Sequence, residues 1–222
     1  MFNYAVKYYD LKENPCHKAG SIGKNKAEEM LFWTKEEYNN FIECVSDKAP
    51  SKMAFETLYW TGIRIGELMA LTLQDINYDN KTISINKSVQ RLAKEDIVTA
   101  PKTPKSNRVI PITDTLVEDL KAYTGKLYDL KPTDRIFNFT KYFLHHEMDR
   151  GCKKSGVKRI RLHDLRHSHA SLLIELGFTP LIIAERLGHE KIETTLNTYS
   201  HLYPNKQNQV VDALQKLQSE PN

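Results

Sequence analysis

The apolar residues of this chain change their spacing twice, and this change restricts the possible folds more than any other feature of the sequence. Near the start, helical spacing is seen in Tyr38, Phe41, Ile42 and Val45. Ile83 and Ile85 then alternate with polar residues, and helical spacing returns at Leu116 and Leu120. A 3.6-residue period is typical of an amphipathic helix, and strict alternation is typical of a half-buried strand. The pattern predicts an α+β fold that is mostly helical and contains one small sheet.

The small sheet is predicted to contain three antiparallel strands. Residues 83–85 mark the first strand, and residues 97–99 and 109–112 supply the other two. The connection 101–107 contains two prolines and two lysines. Such a segment is expected to be an exposed, mobile loop that reaches a ligand.

Capping and breaking residues predict where several helices begin and end. Thr34 and Glu37 form a capping box, which places the start of the compact domain near residue 30. Gly62 is expected to end a second helix, and a new helix is expected to begin near residue 64 and run to about residue 71. Further along, Thr179 caps a helix that Gly188 ends.

Composition excludes several classes of protein. The 222 residues suffice for one sizeable domain. The three cysteines are scattered without CxxC spacing, so we expect reduced thiols rather than a disulfide framework or a zinc site. Apolar runs are too short to cross a membrane, and the N-terminus does not resemble an export signal. We therefore expect a soluble, cytoplasmic protein.

Charge is modest in total but uneven along the chain. The formal net charge is +4, and basic residues concentrate between residues 87 and 108 and between residues 150 and 161. Solvated lysine surface and nucleic-acid binding are equally good explanations of such clusters.

Arg64 and Glu67 are three residues apart at the start of a predicted helix, so they lie on one face of it. Free backbone amides in the first turn of a helix also favour an anion near Arg64. A surface ion pair is the alternative, and it is the simpler interpretation of these two residues alone.

His163 and Arg166 repeat the same spacing in a second predicted helix. A guanidinium offers a fork of donors that matches two phosphate oxygens, and a histidine near neutrality moves a proton. His167 and His169 follow, and His163 and His167 have the i, i+4 spacing of a metal pair. Because neither a HExxH glutamate nor a cysteine pair accompanies them, we expect no metal.

His189 and Tyr199 complete the candidates. His189 follows a predicted helix end, where it either belongs to a functional site or interacts favourably with the negative end of the helix dipole. A tyrosine hydroxyl has a pKa near ~10 and is a poor nucleophile unless proton acceptors and cations surround the reacting group. At helical spacing a tyrosine is also consistent with core packing, and Tyr203 is a rival for the role.

Four motifs taken together resemble the tyrosine recombinase (phage integrase) family over nearly the whole chain from about residue 30. They are Thr-Gly-Ile-Arg-Ile-Gly-Glu-Leu at 61–68, Leu-His-Asp-Leu-Arg-His-Ser-His-Ala-Ser at 162–171, Leu-Gly-His-Glu at 187–190 and Thr-Leu-Asn-Thr-Tyr-Ser-His-Leu at 195–202. The chain looks most like integrases of phages and mobile elements from Gram-positive bacteria. The resemblance implies a tyrosine recombinase catalytic-domain fold. It also implies DNA integration and excision by metal-free strand transfer through a 3′-phosphotyrosyl intermediate, with no cofactor.

The resemblance also assigns roles to residues. In the family two arginines grip the scissile phosphate and a tyrosine attacks it, which corresponds here to Arg64, Arg166 and Tyr199. The resemblance also implies that Lys102 is the general acid, with Lys105 as its rival, and that His163 is the general base. His189 would orient the phosphate, and Glu67 would support the arginines. Lys105, Arg108 and Arg161 are further candidates for contacting DNA.

One departure from the family concerns the N-terminal region. Members usually carry a separate core-binding domain that clamps DNA together with the catalytic domain. Here residues 2–15 resemble only its last helix and the linker, so we expect residues 1–27 to be the tail of that domain and residues 28–222 to be the catalytic domain. The chain is expected to be either an excised domain or a truncated gene product. A helix expected at 207–218 packs on its own domain or, as the resemblance suggests, docks on a neighbouring protomer.

The implied partners are double-stranded DNA attachment sites. We expect the chain to bind them as a tetramer, to be a monomer off DNA, and to act with DNA-bending accessory proteins. Two other interpretations stay open. Residues 171–188 mimic the helix-turn-helix of a regulator, and the histidine-rich helix would suit a metal-dependent phosphodiesterase. A regulator has no need for Arg64, Lys102 and Tyr199 in addition to His163 and Arg166.

Overall fold

The chain divides into two units in the computed structural model, which describes residues 2–19, 30–93, 95–101, 103–203, 211 and 215. The units are Met1–Met30 and Leu31–Asn222. The first contains the helices α1 (Phe2–Tyr8) and α2 (Pro15–Ala19). The second contains the remaining helices and strands and all of the candidate site residues.

Helices make up most of the second unit. They are α3 (Lys35–Val45), α4 (Ala49–Thr61), α5 (Ile65–Leu68), α6 (Asp114–Thr124), α7 (Lys141–Ser155), α8 (Asp164–Glu175), α9 (Pro180–Leu187) and α10 (Ile192–Tyr199), with 3₁₀ helices at Leu73–Asp75, Pro104–Ser106 and Ser200–Leu202. Helix α3 packs on α7, α4 packs on α6 and α8, and α9 packs on α10. Their shared core is built from large side chains such as Trp33, Phe41, Phe55 and Phe137, all of which are buried. Among the described residues, every helix is too short or too polar to span a bilayer.

The strands form two small antiparallel sheets. One consists of β1 (Ile76–Asn77), β2 (Thr82–Ile85) and β5 (Arg108–Pro111) in the order β1-β2-β5, with Ile83 opposite both Ile76 and Ile110. The other is a hairpin of β3 (Ser88–Leu92) and β4 (Glu95–Thr99). The predicted fold class, mostly helical with a small antiparallel sheet, is confirmed.

The membership of the three-stranded sheet differs from the prediction. Residues 97–99 lie in β4 and pair with β3, so the predicted third strand belongs to the hairpin. The actual third member is β1, which has only two residues. A strand of that length shows no alternation, because alternation needs about four residues to be recognisable.

The predicted helix boundaries agree well with the structure. Thr34 and Glu37 form the capping box, and Thr179 accepts a hydrogen bond from the amide of Ile182. Gly62 and Gly188 end α4 and α9 in the left-handed region, at φ 68° and 67°. The helix predicted for residues 207–218 lies outside the described residues, apart from Val211 and Gln215.

The helix predicted after residue 64 is shorter than expected. Arg64 is its N-cap rather than part of its first turn, and α5 ends at Leu68. The chain leaves the helix because the carbonyl of Leu71 accepts a hydrogen bond from the amide of Ile136, and Thr72 forms a bridge with Arg135. These long-range pairings are not visible in the local sequence.

Candidate active site

The turn between α4 and α5 requires a glycine, and it places the first arginine. Gly62 has a φ of 68°, and a Cβ at this position would lie 2.6 Å from the ring of His169 and 2.8 Å from Leu187. Both the backbone angle and the lack of space therefore exclude a larger residue. The turn brings α4 close to α8 and α9 and leaves Arg64 at the N-terminus of α5.

Glu67 is shared by two arginines. Arg64 donates to it from Nη1 to Oε1 at 2.8 Å and from its backbone amide to Oε2 at 2.9 Å. Arg108 donates from Nη2 to Oε2 at 2.9 Å and from Nη1 to Oε1 at 3.2 Å. Burial alone would raise the pKa of the Glu67 carboxyl, but Arg108 and Arg64 hold it below its ordinary value. Glu67 is thus an anion that fixes both guanidinium groups.

Arg108 lies inside the protein, unlike the other candidates for contacting DNA. Its side chain is only 7% exposed, and it also donates to the carbonyls of Ser106 and Arg186. A Cβ on Gly188 would lie 2.9 Å from its Cδ, so the glycine turn after α9 packs directly on it. The expectation of a DNA contact came from charge alone. The structure instead shows Arg108 joining α5, α9 and the loop before β5.

Arg166 is held by backbone carbonyls at both sides of the site. It donates from Nη1 to the carbonyl of Gly62 at 2.9 Å and from Nη2 to that of Leu187 at 2.6 Å. Burial, followed by the charge of Arg64, lowers its pKa to about 9, so it is still a cation at neutral pH. Among the described residues, its guanidinium makes these two hydrogen bonds, which leaves Nε–H and one hydrogen on each terminal nitrogen for an anion.

His163 and His189 both lie within the electrostatic reach of Arg166 and Arg64, and the pKa of each is lowered, so both favour the neutral form at pH 7. His163 is the N-cap of α8, and burial followed by the charge of Arg166 lowers its pKa. His189 lies just past α9, where burial and then the charges of Arg166, Arg64 and Arg108 lower its pKa to about 4. Its Nδ1 is 2.7 Å from Oγ1 of Thr195, which fixes the ring.

Tyr199 ends α10 and points inward. Its side chain is 1% exposed, and its hydroxyl lies 2.7 Å from Nδ1 of His167. Burial raises its pKa to about 12, although the charge of Arg166 acts in the opposite direction. Tyr203 has a different environment, with its hydroxyl 3.5 Å from the carbonyl of Phe178. Of the two rivals, Tyr199 is the one that the structure brings to Arg166.

A cleft of about 440 Å³ opens beside Arg64 and His189. Its far wall is formed by the ends of the β3–β4 hairpin and by the loop after it, including Thr99, Thr103 and Ser106. This loop is the one predicted to reach a ligand. The cleft places it opposite the cationic cluster.

The remaining predicted residues are less central. Lys102, the predicted general acid, lies outside the described residues. Its rival Lys105 is exposed in the 3₁₀ helix Pro104–Ser106. Arg161 is 61% exposed and pairs with buried Asp164, with Nη2 3.1 Å from Oδ1. Within the described ranges, no group of three or more His, Cys, Asp or Glu side chains is arranged to hold a metal ion.

Sequence reasoning missed three contacts of the site. They are the bond of His167 to Tyr199, the bond of Thr195 to His189 and the pairing of Arg108 with Glu67. The i, i+4 spacing of His163 and His167 drew attention to His167, but as a metal ligand. None of these contacts has a local pattern, because each joins residues from different elements or loops.

The arrangement is suited to one kind of chemistry. Fixed guanidinium groups bind and neutralise a phosphate, neutral imidazoles accept protons, and an adjacent hydroxyl is available as a nucleophile. Such a set catalyses phosphoryl transfer by positioning and by charge stabilisation.

Comparison with known protein families and relatives gives consistent results. The model of the phage integrase family matches residues 32–206. ICEBs1 integrase from Bacillus subtilis (strain 168) is 34% identical over 231 residues, which cover 98% of this chain and 62% of that protein. The integrase of Staphylococcus phage L54a is 31% identical over 181 residues, which cover 74% of this chain and 51% of that protein. The chain therefore spans roughly half to three-fifths of the length of these relatives.

Solved structures show the same fold. The Tn1549 transposon integrase in complex with circular intermediate DNA matches with a TM-score of 0.78 at 18% identity, over 97% of this chain and 76% of that one. The catalytic domain of bacteriophage HP1 integrase matches with a TM-score of 0.59 at 21% identity, over 87% of this chain and 100% of that one. The predicted recombinase catalytic-domain fold is thereby confirmed.

Proposed function

Since this chain belongs to the phage integrase family, we propose that it is the catalytic domain of a site-specific DNA recombinase of the tyrosine type. It cleaves and rejoins DNA strands through a 3′-phosphotyrosyl intermediate, for the integration or excision of a phage or mobile element. The observation that carries this proposal is the placement of the Tyr199 hydroxyl against an imidazole and beside Arg166, within the cluster that also holds Arg64.

The first step is the binding of the scissile phosphate. Arg64 and Arg166 bind its two non-bridging oxygens, and His189 orients it from the turn after α9. Glu67 holds Arg64 in place, and the carbonyls of Gly62 and Leu187 do the same for Arg166. These preorganised donors stabilise the additional negative charge that develops on the non-bridging oxygens in the transition state.

The second step is attack by Tyr199. With a pKa of about 12, roughly one hydroxyl in 10⁵ is ionised at pH 7, so the proton must leave as the bond to phosphorus forms. His163 takes the general-base position by the resemblance. A lysine of the 101–107 loop, Lys102 or its rival Lys105, protonates the leaving 5′ oxygen. The phosphodiester energy is kept in the tyrosyl link, so strands rejoin without ATP.

Partners and organisation follow from the same proposal. The substrate is double-stranded DNA at attachment sites, and solved integrases of this fold include complexes with DNA. Lys105 is exposed on the loop after the hairpin, and Arg161 is exposed just before α8. Both contact the duplex. We further propose a tetramer on DNA, DNA-bending accessory proteins, a cytoplasmic location, a tail of the core-binding domain at residues 1–27 and a catalytic domain at residues 28–222.

The test is capture of the covalent intermediate. The chain is incubated with nicked duplexes carrying candidate attachment sequences, in the presence of EDTA, and run on a denaturing gel. The nick lets the short fragment that carries the free 5′-hydroxyl dissociate, so an adduct accumulates instead of being rejoined. We expect a DNA-linked band that disappears in Tyr199→Phe, because phenylalanine has no oxygen to bond to phosphorus.

Tyr203→Phe is the matched control. Its hydroxyl has only a long contact with a backbone carbonyl, so the adduct should form at a rate within about threefold of the wild type. Persistence of the adduct in Tyr199→Phe with its loss in Tyr203→Phe would make the nucleophile assignment wrong. Gel shifts without any adduct would favour the regulator interpretation, and loss of the adduct in EDTA would favour a metal-dependent enzyme.

A further inference from the structure

The Tyr199 hydroxyl makes its hydrogen bond with His167, a histidine to which the family resemblance gave no role. Nδ1 of His167 lies 2.7 Å from the oxygen of Tyr199, and the two rings are 5.6 Å apart. On the other side of the imidazole, Nε2 of His167 is 4.0 Å from Oδ1 of Asp164. This separation is longer than a hydrogen bond, and the Asp164 carboxylate accepts its hydrogen bonds from Arg161, but its negative charge acts on the same imidazole. The contact that identifies a base beside the nucleophilic hydroxyl is therefore the one at Nδ1.

Resting on the function proposed above, we propose that His167 is the group that accepts the Tyr199 proton during strand cleavage, with the charge of Asp164 stabilising the imidazolium that forms. His163 and His167 face each other at 5.3 Å with perpendicular rings. Among the described residues, the hydrogen bond of the Tyr199 hydroxyl goes to His167 and not to His163. This assignment differs from the resemblance, which gives the general-base role to His163.

The tautomer of His167 follows from its two neighbours. The Asp164 carboxylate is fully buried and lies on the Nε2 side, so it favours a proton on that nitrogen. Nδ1 then carries a lone pair, and the Tyr199 hydroxyl donates to it. Burial, followed by the proximity of the His163 ring, lowers the pKa of His167 to about 4, so the lone pair is free at neutral pH.

The step balances in protons and electron pairs. The Tyr199 oxygen forms a bond to phosphorus while its O–H bond breaks and the proton moves to Nδ1 of His167. The bond from phosphorus to the 5′ oxygen breaks, and that oxygen takes a proton from the loop lysine. The imidazolium that results lies between the carboxylate of Asp164 and the new phosphodiester, and both are negative. In the rejoining step His167 returns the proton to the oxygen of Tyr199.

The first experiment needs no DNA and so does not depend on the proposed function. The full chain is labelled with ¹⁵N-histidine, and the resonances of His167 are identified by their loss in His167→Asn. We expect a protonated Nε2 and a bare, hydrogen-bonded Nδ1, with the Nδ1 signal shifting in Tyr199→Phe. A protonated Nδ1 with a bare Nε2 would overturn the proposal, because Tyr199 would have no lone pair to donate to.

The second experiment measures adduct formation on the nicked duplexes in single turnover. His167→Asn keeps a hydrogen-bonding atom near the position of Nδ1 but cannot take up a proton. We expect cleavage about 100-fold slower or worse, the usual range for removing a general base. A rate within threefold of the wild type would show that His167 only positions the hydroxyl. His167→Gly with added imidazole should recover part of the rate, and urea denaturation confirms that each variant is folded.

A modified substrate separates the two ends of the proton path. In a duplex with a 5′-bridging sulfur, the leaving thiolate needs no proton. Variants of the loop lysines should regain cleavage on this substrate, whereas His167→Asn should stay slow. Recovery of His167→Asn would assign it to the leaving group and overturn the proposal. If the wild type cleaves none of the duplexes, that result counts against the recombinase function. The tautomer measured by NMR would still show whether Tyr199 donates its hydrogen bond to Nδ1 of His167.

Discussion

Substituting Glu67 by glutamine tests whether one carboxylate organises the cationic cluster. Glutamine has almost the same size, so packing is preserved. It removes the negative charge, however, and it replaces one acceptor oxygen by an NH₂ group that faces guanidinium donors. Arg108, which is 7% exposed, then loses its anion inside the protein, and Arg64, which is 38% exposed, loses its nearest partner.

The expected loss of stability is large because Arg108 is buried. Removing one member of a buried ion pair costs about 3–5 kcal/mol, since the other charge stays unpaired and out of water. Arg64 contributes less, because water already reaches it. Most of the loss therefore comes from Arg108, and the lower end of the range, about 3 kcal/mol, is the expected value. For a unit of this size, that corresponds to a decrease in Tm of roughly 6–12 °C.

The assay is urea denaturation at pH 7, followed by circular dichroism, with the free energy of unfolding taken from the midpoint and slope. Asp149→Asn is the control, because its pair with Arg159 is exposed at 61% and 41% and should change stability by less than about 1 kcal/mol. Sulfate should stabilise Glu67→Gln more than the wild type, since it supplies the missing anion. A loss below about 1 kcal/mol for Glu67→Gln, similar to the control, would refute the argument.

Two further predictions concern the frame of the site. Gly66→Val should destabilise the protein by about 1–3 kcal/mol and slow adduct formation. A Cβ at Gly66 would lie 2.5 Å from Oγ of Ser88 and 2.8 Å from the carbonyl of Val89, so it would force the hairpin away from α5. An unchanged urea midpoint and cleavage rate would contradict this. Glu147, 1% exposed, has a pKa of about 2 because hydrogen bonds from Arg150, then Lys48 and Ser51, outweigh its burial. Since its folded pKa is depressed, the ionised carboxylate stabilises the protein by about 3 kcal/mol above pH ~4.5, and this stabilisation is lost as the pH falls towards 2. The urea midpoint of Glu147→Gln should therefore fall less than that of the wild type between pH 5 and 3. Parallel decreases would contradict the assignment.

Local features of the fold were predictable because their causes lie within a few residues. The capping box of Thr34, the cap at Thr179 and the glycine stops at 62 and 188 each depend on neighbours less than five residues away. The family resemblance of the four motifs also predicted that Arg64, Arg166 and Tyr199 belong together. The structure brings them into one cluster, although their catalytic roles remain predictions.

Other features depend on residues far apart in sequence. The short α5 ends because residues 71 and 72 pair with residues 135 and 136. Arg108 belongs with Glu67, which is 41 positions away, and His167 belongs with Tyr199, which is 32 positions away. In the sequence, a buried arginine and an exposed one look the same, so charge alone placed Arg108 on the DNA surface.

Under the proposed function, the electrostatics of the site make cleavage depend on bound substrate. Burial, followed by the charges of Arg166, Arg64 and Arg108, lowers the pKa of His189 to about 4. A bound phosphodiester brings one negative charge to the same place, and a nearby opposite charge raises the pKa of an imidazole. The capacity of the histidines to hold a proton therefore rises when DNA is bound. Under the proposed function, the imidazoles become stronger proton acceptors when the phosphate site is occupied, so cleavage by Tyr199 is coupled to occupancy of that site.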